Sequence, residues 1–357
     1  MKKLLLSLVA LLGAIAVNAQ VVSETISATL QNGETTTVYY GTDALKTALN
    51  NAVDGSIITL SSGTFSTPGN ITKYVKIYGA GYENDPVTGV ARTFLDGGIN
   101  MSGVEGVHVD NFYMEGLYVN GAVYIADAGS DELIEGVKLV KCRTTNIDIR
   151  ENSDATIIRQ CLVEGNIGGS NTVASGFMVQ NCYVTGEISG FATESAIVVD
   201  HCILPAAGLT GRWGDVRQYH GPYYYKNTIL NRYLTTGAVA VNCVGYADRL
   251  SNDGRNIITN CYTDIPNWED LMGVIFTDGQ KNLNYMLTDN SAPRTWEVAD
   301  PETYKGDDGT AIGLAGGTYA WDKIPSTPRI ISSSIDSKTV DGKLHVSIKA
   351  EAKPVVE

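Results

Sequence analysis

The sequence is poor in charged residues and in histidine, and this shortage argues against several classes of protein. Charged residues make up 18% of the 357 residues, and only four are histidines. The 39 acidic residues outnumber the 26 basic ones, which argues against general binding to nucleic acid. The four histidines are scattered along the chain, so they predict no metal cluster. They are His108, His201, His220 and His345.

Familiar catalytic motifs are also lacking. The chain contains no H-E-x-x-H, C-x-x-C or G-x-S-x-G motif and no phosphate-binding glycine loop. The paired carboxylates of a glycoside hydrolase cannot be identified, because their separation is a property of the fold. The sequence therefore leaves open whether the protein is an enzyme, and it does not indicate an oligomeric state.

Long apolar runs are absent except at the start of the chain. Lys2 and Lys3 precede an apolar run from Leu4 to Val17, and residues 17–19 form a small-x-small cleavage site. The run is too short for a membrane span, which needs roughly 18 apolar residues or more, so we expect a signal peptide over residues 1–19. Its removal changes the net charge from −13 to −13 − 2 = −15. We expect an exported protein without a membrane span, in the periplasm, at the cell surface or outside the cell.

Cysteine is present six times, with a regular spacing. The gaps between successive cysteines are 19, 21, 20, 41 and 18 residues, and the gap of 41 contains Thr228 in the place of a further cysteine. A period near 20 predicts a repeat architecture in which each repeat is one coil of a solenoid. The six are Cys142, Cys161, Cys182, Cys202, Cys243 and Cys261.

The residues around each cysteine predict the shape of the coil. Apolar residues stand three and five positions before most of the cysteines and alternate with polar ones, as in a half-buried strand. The alternation breaks at a polar residue directly before each cysteine, where a tight bend needs the left-handed conformation. We interpret these polar residues, which we call the turn column, as a ladder of turn residues and not as a ligand array. Its members are Lys141, Gln160, Asn181, His201, Asn242 and Asn260.

A third short strand is predicted at 146–148, 166–168 and 187–189. Three strands per coil of roughly 20 residues predict an all-β parallel β-helix. The cysteines then form an inward column, for which reduced thiols are favoured and disulfides remain the alternative, because parallel Cβ vectors suit a disulfide poorly.

The two ends of the chain are expected to cap the solenoid. Apolar residues at 44, 45, 48, 49 and 52 have helical spacing, and Thr42 is a plausible N-cap. Strands are expected at 57–60, 63–65 and 75–78. Residues 329–335 and 344–350 alternate and predict a β-hairpin that caps the last coil or forms a small appendage. The expected organisation is therefore a capped β-helix over residues 20–328 and a C-terminal hairpin over 329–357.

These N-terminal segments resemble a known family. The capping helix, the D-G-x-I-I-T-L-x-x-G-T-F segment at 54–65 and the V-K-I-Y-G-A-G segment at 75–81 resemble the start of the pectate-lyase-like superfamily of right-handed parallel β-helices. Residues 308–313 and 325–330 resemble the closing segment of secreted β-helix proteins of Bacteroidota. The resemblance implies a right-handed coil. It also implies, as an alternative function, a polysaccharide lyase that neutralises a uronate carboxylate with Ca²⁺ or basic side chains.

Two segments carry candidate site residues. On the predicted third strands, Asp148, Arg150 and Glu187 point outward and form a mixed surface suited to sugar hydroxyls. The structural alternative is a solvated face with an Asp148–Arg150 ion pair.

The second segment is the insertion at 205–225, where aromatic residues suit sugar rings and arginines suit carboxylates. Its structural alternative is an aromatic brace for a long loop. Catalytic candidates here are Arg212, Arg217 and His220, and binding candidates are Trp213, Asp215, Tyr219 and Tyr223.

The string Asp200-His201-Cys202 echoes the calcium site of pectate lyases, but it coincides with the turn column. The downstream R-x-P-x-x-R element is absent, so Asp200 is not assigned a catalytic role. The leading hypothesis is a secreted or cell-surface β-helix that interacts with polysaccharide. The alternatives are a pectate-lyase-like enzyme and a structural or adhesive surface protein.

Overall fold

The computed structural model describes a series of chain segments that together form one solenoid and its flanking pieces. Almost all regular structure in them is β-strand, with a single short helix near the start. The described residues are 26–101, 109–125, 133–150, 152–169, 172–192, 194–204, 223–230, 238–245, 257–259, 261–263, 284–286, 295–297, 302, 305–336 and 338–353.

The elements are short, as expected for a coil that turns every few residues. In chain order they are β1 Ser27–Asn32, β2 Thr35–Tyr40, α1 Ala44–Asn51, β3 Ser56–Leu60, β4 Gly63–Ser66, β5 Val75–Tyr78, β6 Thr93–Asp96, β7 Ile99–Met101, β8 Tyr113–Glu115, β9 Tyr118–Ile125, β10 Ile134–Glu135, β11 Lys138–Val140, β12 Arg143–Ile149, β13 Ser153–Asp154, β14 Ile157–Arg159, β15 Leu162–Val163, β16 Ile167–Gly169, β17 Ala174–Ser175, β18 Phe177–Gln180, β19 Tyr183–Val184, β20 Ile188–Ser189, β21 Ile197–Asp200, β22 Ile203–Leu204, β23 Tyr223–Lys226, β24 Ile229–Leu230, β25 Val239–Val241, β26 Val244–Gly245, β27 Ile257–Thr259, β28 Tyr262–Thr263, β29 Asn284–Met286, β30 Thr295–Glu297, β31 Arg329–Ile335 and β32 Val346–Glu351.

Stacked parallel strands form the sheets of the solenoid, and the predicted parallel β-helix is confirmed. Sheet A has the order β2-β1-β3-β5-β8-β11-β14-β18-β21-β23-β25-β27, in which β1 pairs antiparallel with its neighbours and the rest are parallel. Sheet B runs β28-β26-β24-β22-β19-β15-β12-β9-β6-β4, with β7, β16 and β20 paired beside this path. Sheet C contains β10, β13 and β17.

Alternation along each strand places one set of side chains in the core. Leu139, Ile158, Val179 and Val199 lie in register on successive sheet A strands and are at most 1% exposed. Because the strands are parallel and in register, equivalent residues stack directly above one another. The repeat seen in the sequence is therefore the repeat of the core.

The cysteine column is buried and its thiols are free, so the expectation of reduced thiols is confirmed. The backbone N–H of Cys142 donates to Sγ of Cys161 at 3.4 Å, and the next two pairs repeat this contact. Thr228 occupies the expected place in the column, where its Oγ1 accepts the N–H of Cys202 at 3.2 Å. The hydroxyl oxygen of Thr228 thus accepts the backbone hydrogen bond that a cysteine sulfur accepts on the preceding coils.

The described polar residues that directly precede a cysteine adopt the left-handed conformation, as predicted. The φ angles are 48° at Lys141, 53° at Gln160, 49° at Asn181, 50° at His201 and 50° at Asn242. Asn227, which precedes Thr228, has a φ of 48°, while Asn260 lies outside the described residues.

The segments predicted as third strands lie in sheet B. They do not form a separate side of the coil, and the chain bends within sheet B instead. Residues 146–148 form the second half of β12, beyond a register shift between Thr144 and Asn146 in its pairing with β9. Successive coils touch at this bend, because a Cβ added to Gly186 would lie 2.0 Å from the carbonyl carbon of Gly165. The third side of the coil is sheet C, which precedes the sheet A strand.

Helix α1 covers the N-terminal end of the core, as predicted. Its inward residues are buried, whereas the predicted N-cap is wrong, since Asp43 and not Thr42 holds that position and makes no side-chain capping bond. Lys73 Nζ donates to the carbonyls at the end of the helix, including that of Ala52 at 2.7 Å. In the described ranges, no helix is long and apolar enough to cross a membrane.

Strands β31 and β32 pair antiparallel as the predicted C-terminal hairpin. The described side chains from 338 to 350 are all exposed. Lys353 links the end of the hairpin to the solenoid side, where its N–H donates to the carbonyl of Pro325 at 3.4 Å.

Candidate functional site

The outward face of sheet B carries a stacked arginine at the end of β12. Arg150 Nε donates to Asp148 Oδ2 at 3.1 Å, and both side chains are about one-third exposed. The guanidinium carbon of Arg150 lies 3.8 Å from the ring centre of Tyr124, whose strand β9 pairs with β12. The ion pair considered in the sequence therefore exists, and it is held against an aromatic ring that the sequence did not indicate.

The next coil has a glycine at the position equivalent to Asp148, which leaves an open step in this face of the sheet. Gly168 pairs with Asp148, and Ser189 pairs with Gly168. A Cβ added to Gly168 would meet only the carbonyl oxygen of Ser189, at 3.9 Å, so the space above this position is open. Glu187 borders the step, and its Oε2 accepts from Ser189 Oγ at 3.4 Å. We call Tyr124, Asp148, Arg150, Glu187 and Ser189 the polar face.

The polar face offers both hydrogen-bond donors and acceptors to a ligand. A guanidinium has five N–H donors, and Asp148 engages the Nε–H of Arg150. The carboxylates of Asp148 and Glu187 supply acceptors on either side of the open step. Paired donors and acceptors around a shallow step suit hydroxyl groups better than they suit an isolated ion.

Asparagine side chains hold the backbone of the bend beside this face. Asn146 Oδ1 accepts the N–H of Asn166 at 2.8 Å, and Asn166 Oδ1 accepts the N–H of Glu187 at 2.7 Å. Because these amides are engaged along the stack, Asn146 and Asn166 stabilise the bend.

Of the candidate residues in the 205–225 insertion, the structure describes the backbone of Tyr223 alone. The backbone of Tyr223 opens β23, where it pairs with Ile197, but its side chain is not among those described. The remaining candidates lie outside the described residues. They are Arg212, Trp213, Asp215, Arg217, Tyr219 and His220.

The turn column also binds a segment of the same chain. This role was not predicted from the sequence, where the column was interpreted as a set of turn residues only. Residues 305–326, which we call the strap, run along the side of the coils in the direction opposite to their order. Lys141 Nζ donates to the carbonyl of Ile324 at 2.7 Å, and Gln160 Nε2 donates to that of Ala320 at 2.6 Å. Asn181 Nδ2 donates to the carbonyls of residues 314 and 316, at 3.2 and 2.8 Å.

Both ends of the strap are held by carboxylates. At its far end, Glu115 accepts the N–H and the hydroxyl of Ser326, each at 2.7 Å. At its start, Asn227 Nδ2 donates to Asp307 Oδ1 at 2.8 Å, and Lys226 Nζ lies 3.3 Å from Asp307 Oδ2. The strap is therefore fixed along its whole length.

Apolar residues lie beneath the strap on the outer face of sheet B. Four of them are stacked in register on β19, β22, β24 and β26 and are at most 2% exposed, because the strap residues Ile312 and Leu314 pack on them. Trp321 packs against the same cluster. We call the four the outward apolar row; they are Tyr183, Ile203, Ile229 and Val244.

The described part of the chain offers no metal centre, and the thiols at the start of the cysteine column are unreactive. No group of three or more histidine, cysteine or acidic side chains there is arranged to hold a metal ion. Asp200 Oδ1 is engaged by His201 Nδ1 at 2.9 Å and by Asn227 Nδ2 at 3.2 Å, so the string that echoes a calcium site has a structural role here. Burial raises the pKa of the Cys142, Cys161 and Cys182 thiols, which keeps them protonated.

Lys141 is the cation most deeply placed in the turn column. Burial lowers the pKa of its ammonium group, and the carboxylates of Asp322 and Glu115 oppose that shift. The side chain is 1% exposed and donates to a strap carbonyl, so it is closed to a substrate.

No protein-family model, curated protein or solved structure matches the chain. The likeness to the pectate-lyase-like superfamily thus rests on the sequence motifs alone. On its geometry, the chain is an all-β parallel solenoid whose side is closed by its own C-terminal strap.

Proposed function

We propose that this protein is an exported β-helix that binds polysaccharide through the polar face of sheet B. The observation that carries the proposal is Arg150, held against Tyr124 and Asp148 beside the open step at Gly168. Such a preorganised guanidinium loses little side-chain entropy when it donates to a ligand.

The charge balance favours a hydroxyl-rich neutral glycan over a polyanion. Asp148 and Glu187 outweigh the single positive charge of Arg150 on this face. The whole chain is also acidic, with a net charge of −13. A general attraction to uronate polymers is therefore unfavourable, since like charges repel at long range.

The signal peptide expected at residues 1–19 supports export, and the pectate-lyase-like motifs support a carbohydrate-directed role. Both are part of the proposal. The rigid stack also supports it, because in-register strands hold side chains on successive coils at the regular spacing of about 4.8 Å.

Affinity electrophoresis and calorimetry on the full mature chain test the proposal, with a panel of neutral and acidic polysaccharides. We expect retardation by at least one neutral glycan. Arg150→Gln should weaken that binding about tenfold, as expected when a charged hydrogen bond is lost.

Arg143→Gln is the matched control. Arg143 also lies over a tyrosine ring, at 4.4 Å from the centre of Tyr118, and also pairs with an acid, Glu164. It stands at the opposite end of β12, so its removal should leave glycan binding unchanged. Equal losses in both variants, or no retardation by any glycan, would contradict the assignment of the polar face.

The same incubations separate the proposal from the lyase alternative. Absorbance of unsaturated uronates would rise if the chain cleaved acidic glycans. A rise abolished by Arg212→Ala or Arg217→Ala would replace binding by lysis as the function.

A further inference from the structure

Sheet A carries a row of apolar side chains on its outward face. Six of them lie in register, each paired with the next, on β14, β18, β21, β23, β25 and β27. Tyr224 is 41% exposed and Ile257 is 61% exposed, and the other four are partly exposed. We call the six the exposed row of sheet A; they are Ile157, Met178, Val198, Tyr224, Val239 and Ile257.

The strap lies beside the exposed row of sheet A. Arg159 follows Ile157 by two residues on the same face of β14, and its guanidinium carbon lies 3.6 Å from the ring centre of Tyr319. Gln180, two residues after Met178, accepts a hydrogen bond from Arg159 at 2.9 Å and is buried with it. The strap thus covers the second outward position of these strands, while the first position stays partly exposed.

The strap itself shows how this molecule buries such a row. On sheet B, the outward apolar row is at most 2% exposed, because Ile312 and Leu314 pack on it. Equivalent side chains repeat along the axis of a solenoid, so one segment laid along that axis can cover several coils at once. An apolar surface that continues over several coils and stays exposed is typical of a docking site.

Acidic side chains border the start of the exposed row. Glu135 and Asp154 are stacked in register on sheet C, each three residues before the sheet A strand that follows it. Glu194 is exposed on the coil that leads into β21. Lys138, which precedes Ile157 in the same column, is a basic side chain at this border. Three acids thus face one base among these described residues, and this excess favours a positively charged partner.

The spacing of the row fits a helix that lies along the solenoid axis. Successive coils are about 4.8 Å apart, which is close to the helical pitch of about 5.4 Å, whereas an extended strand repeats one face every ~6.6 Å. The row makes five such steps. They cover about 24 Å, which a helix of about 16 residues would span. An apolar stripe on a helix would therefore follow the row more closely than a strand would.

We propose that the exposed row of sheet A is a docking surface for a basic amphipathic α-helix of a partner protein. The apolar face of the helix would pack on the row, and its lysine or arginine side chains would reach Glu135 and Asp154. A second copy of this chain is disfavoured, because its net charge of −13 would be brought against the same acidic border. The proposal does not rest on polysaccharide binding, since the polar face lies on sheet B.

A synthetic peptide of about 18 residues tests the proposal, with leucine at helical spacing on one face and lysine on the other. Fluorescence anisotropy follows its binding to the full mature chain, and circular dichroism follows its helix content. We expect saturable binding, a gain of helix on binding, and weaker binding as salt is added. The same peptide with glutamate in place of lysine should not bind, and neither should a scrambled lysine peptide.

The double variant Met178→Gln/Tyr224→Gln tests the apolar contact. Both side chains point outward, so the coils should still fold, and binding should weaken about tenfold because apolar contact is lost on two coils. Val346→Gln/Ile348→Gln is the matched control, since these hairpin side chains are also apolar and are 53% and 59% exposed. It should bind the lysine peptide as the wild type does.

Asp154→Asn tests the charge separately. Asp154 Oδ1 accepts the N–H of Ala155 at 2.9 Å, and an amide oxygen can accept it as well, so the substitution removes only the charge. Binding of the lysine peptide should weaken about threefold at low salt and stay unchanged at high salt. Unchanged binding at low salt would contradict the need for a basic partner.

Several results would overturn the proposal. They are a lysine peptide that does not bind, equal binding of the glutamate or scrambled peptide, and equal effects of the row and hairpin variants. Sedimentation, and flotation with vesicles of phosphatidylglycerol and phosphatidylcholine, test the other occupants. Self-association or vesicle binding that only the row variant loses would assign the row to a second copy or to a membrane instead.

Discussion

Replacing Asn181 by glycine should destabilise the protein by removing two bonds to the strap. The side chain is 2% exposed and its amide donates to the carbonyls of Leu314 and Gly316. Glycine accepts the φ of 49° without strain, so the substitution leaves the turn intact.

The size of the effect follows from what each carbonyl retains. The Leu314 carbonyl still accepts the N–H of Trp321 at 2.8 Å, so its lost bond costs about 1 kcal/mol. The carbonyl of Gly316, a buried residue of the strap, loses its amide donor, which costs about 1–3 kcal/mol. The hydrogen bonds therefore contribute about 2–4 kcal/mol to the free energy of unfolding. The greater freedom of glycine in the unfolded chain adds about 0.5–1 kcal/mol.

Urea unfolding followed by circular dichroism measures this loss, and Asn242→Gly is the matched control. Asn242 has the same turn position and a φ of 50°, and no side-chain bond to the strap is found for it in the described residues. It should lose only the glycine contribution. Equal losses for the two variants would refute the conclusion that the turn column holds the strap.

Experiments at three further positions test the column and the strap. Thr228→Val should lose about 1–3 kcal/mol, because the N–H of Cys202 loses its acceptor, whereas Thr228→Cys should stay within about 1 kcal/mol in the same unfolding assay. Gly317→Ala should displace the strap, since the new Cβ would lie 2.9 Å from the His201 ring at a φ of +75°; limited proteolysis should then cut the strap while the coils remain intact. Cys261 should react first with a thiol reagent above neutral pH, because a hydrogen bond from the neighbouring cysteine lowers its pKa. Mass spectrometry would identify the labelled residue, and earlier labelling elsewhere in the column would contradict this order.

The coil was predictable because its signals are local. Alternation of period two, a cysteine every 20 residues or so and a left-handed turn residue such as Asn181 all act within one repeat. The N-cap was placed one residue early, at Thr42 instead of Asp43, because helix ends differ by single residues of similar chemistry.

The site was only partly predictable. Asp148 and Arg150 are two residues apart on one strand, so their ion pair follows from the alternation. Tyr124 joins them through the register between β9 and β12, which depends on the lengths of the intervening turns. The path of the strap along the turn column was not predictable, because the acceptors that the column binds are backbone carbonyls, which every residue carries.

The strap also bears on the order in which the chain folds. The residues that it joins are separated by 80 positions at Asn227–Asp307 and by 211 at Glu115–Ser326. Closing the longer loop first would cost about 0.9 kcal/mol more than closing the shorter one, by the logarithmic dependence on loop length. Once the short loop is closed, each later contact lies a few residues further on. The strap should therefore close like a zipper from Asp307 towards Ser326, late in folding, when the coils that receive it already exist.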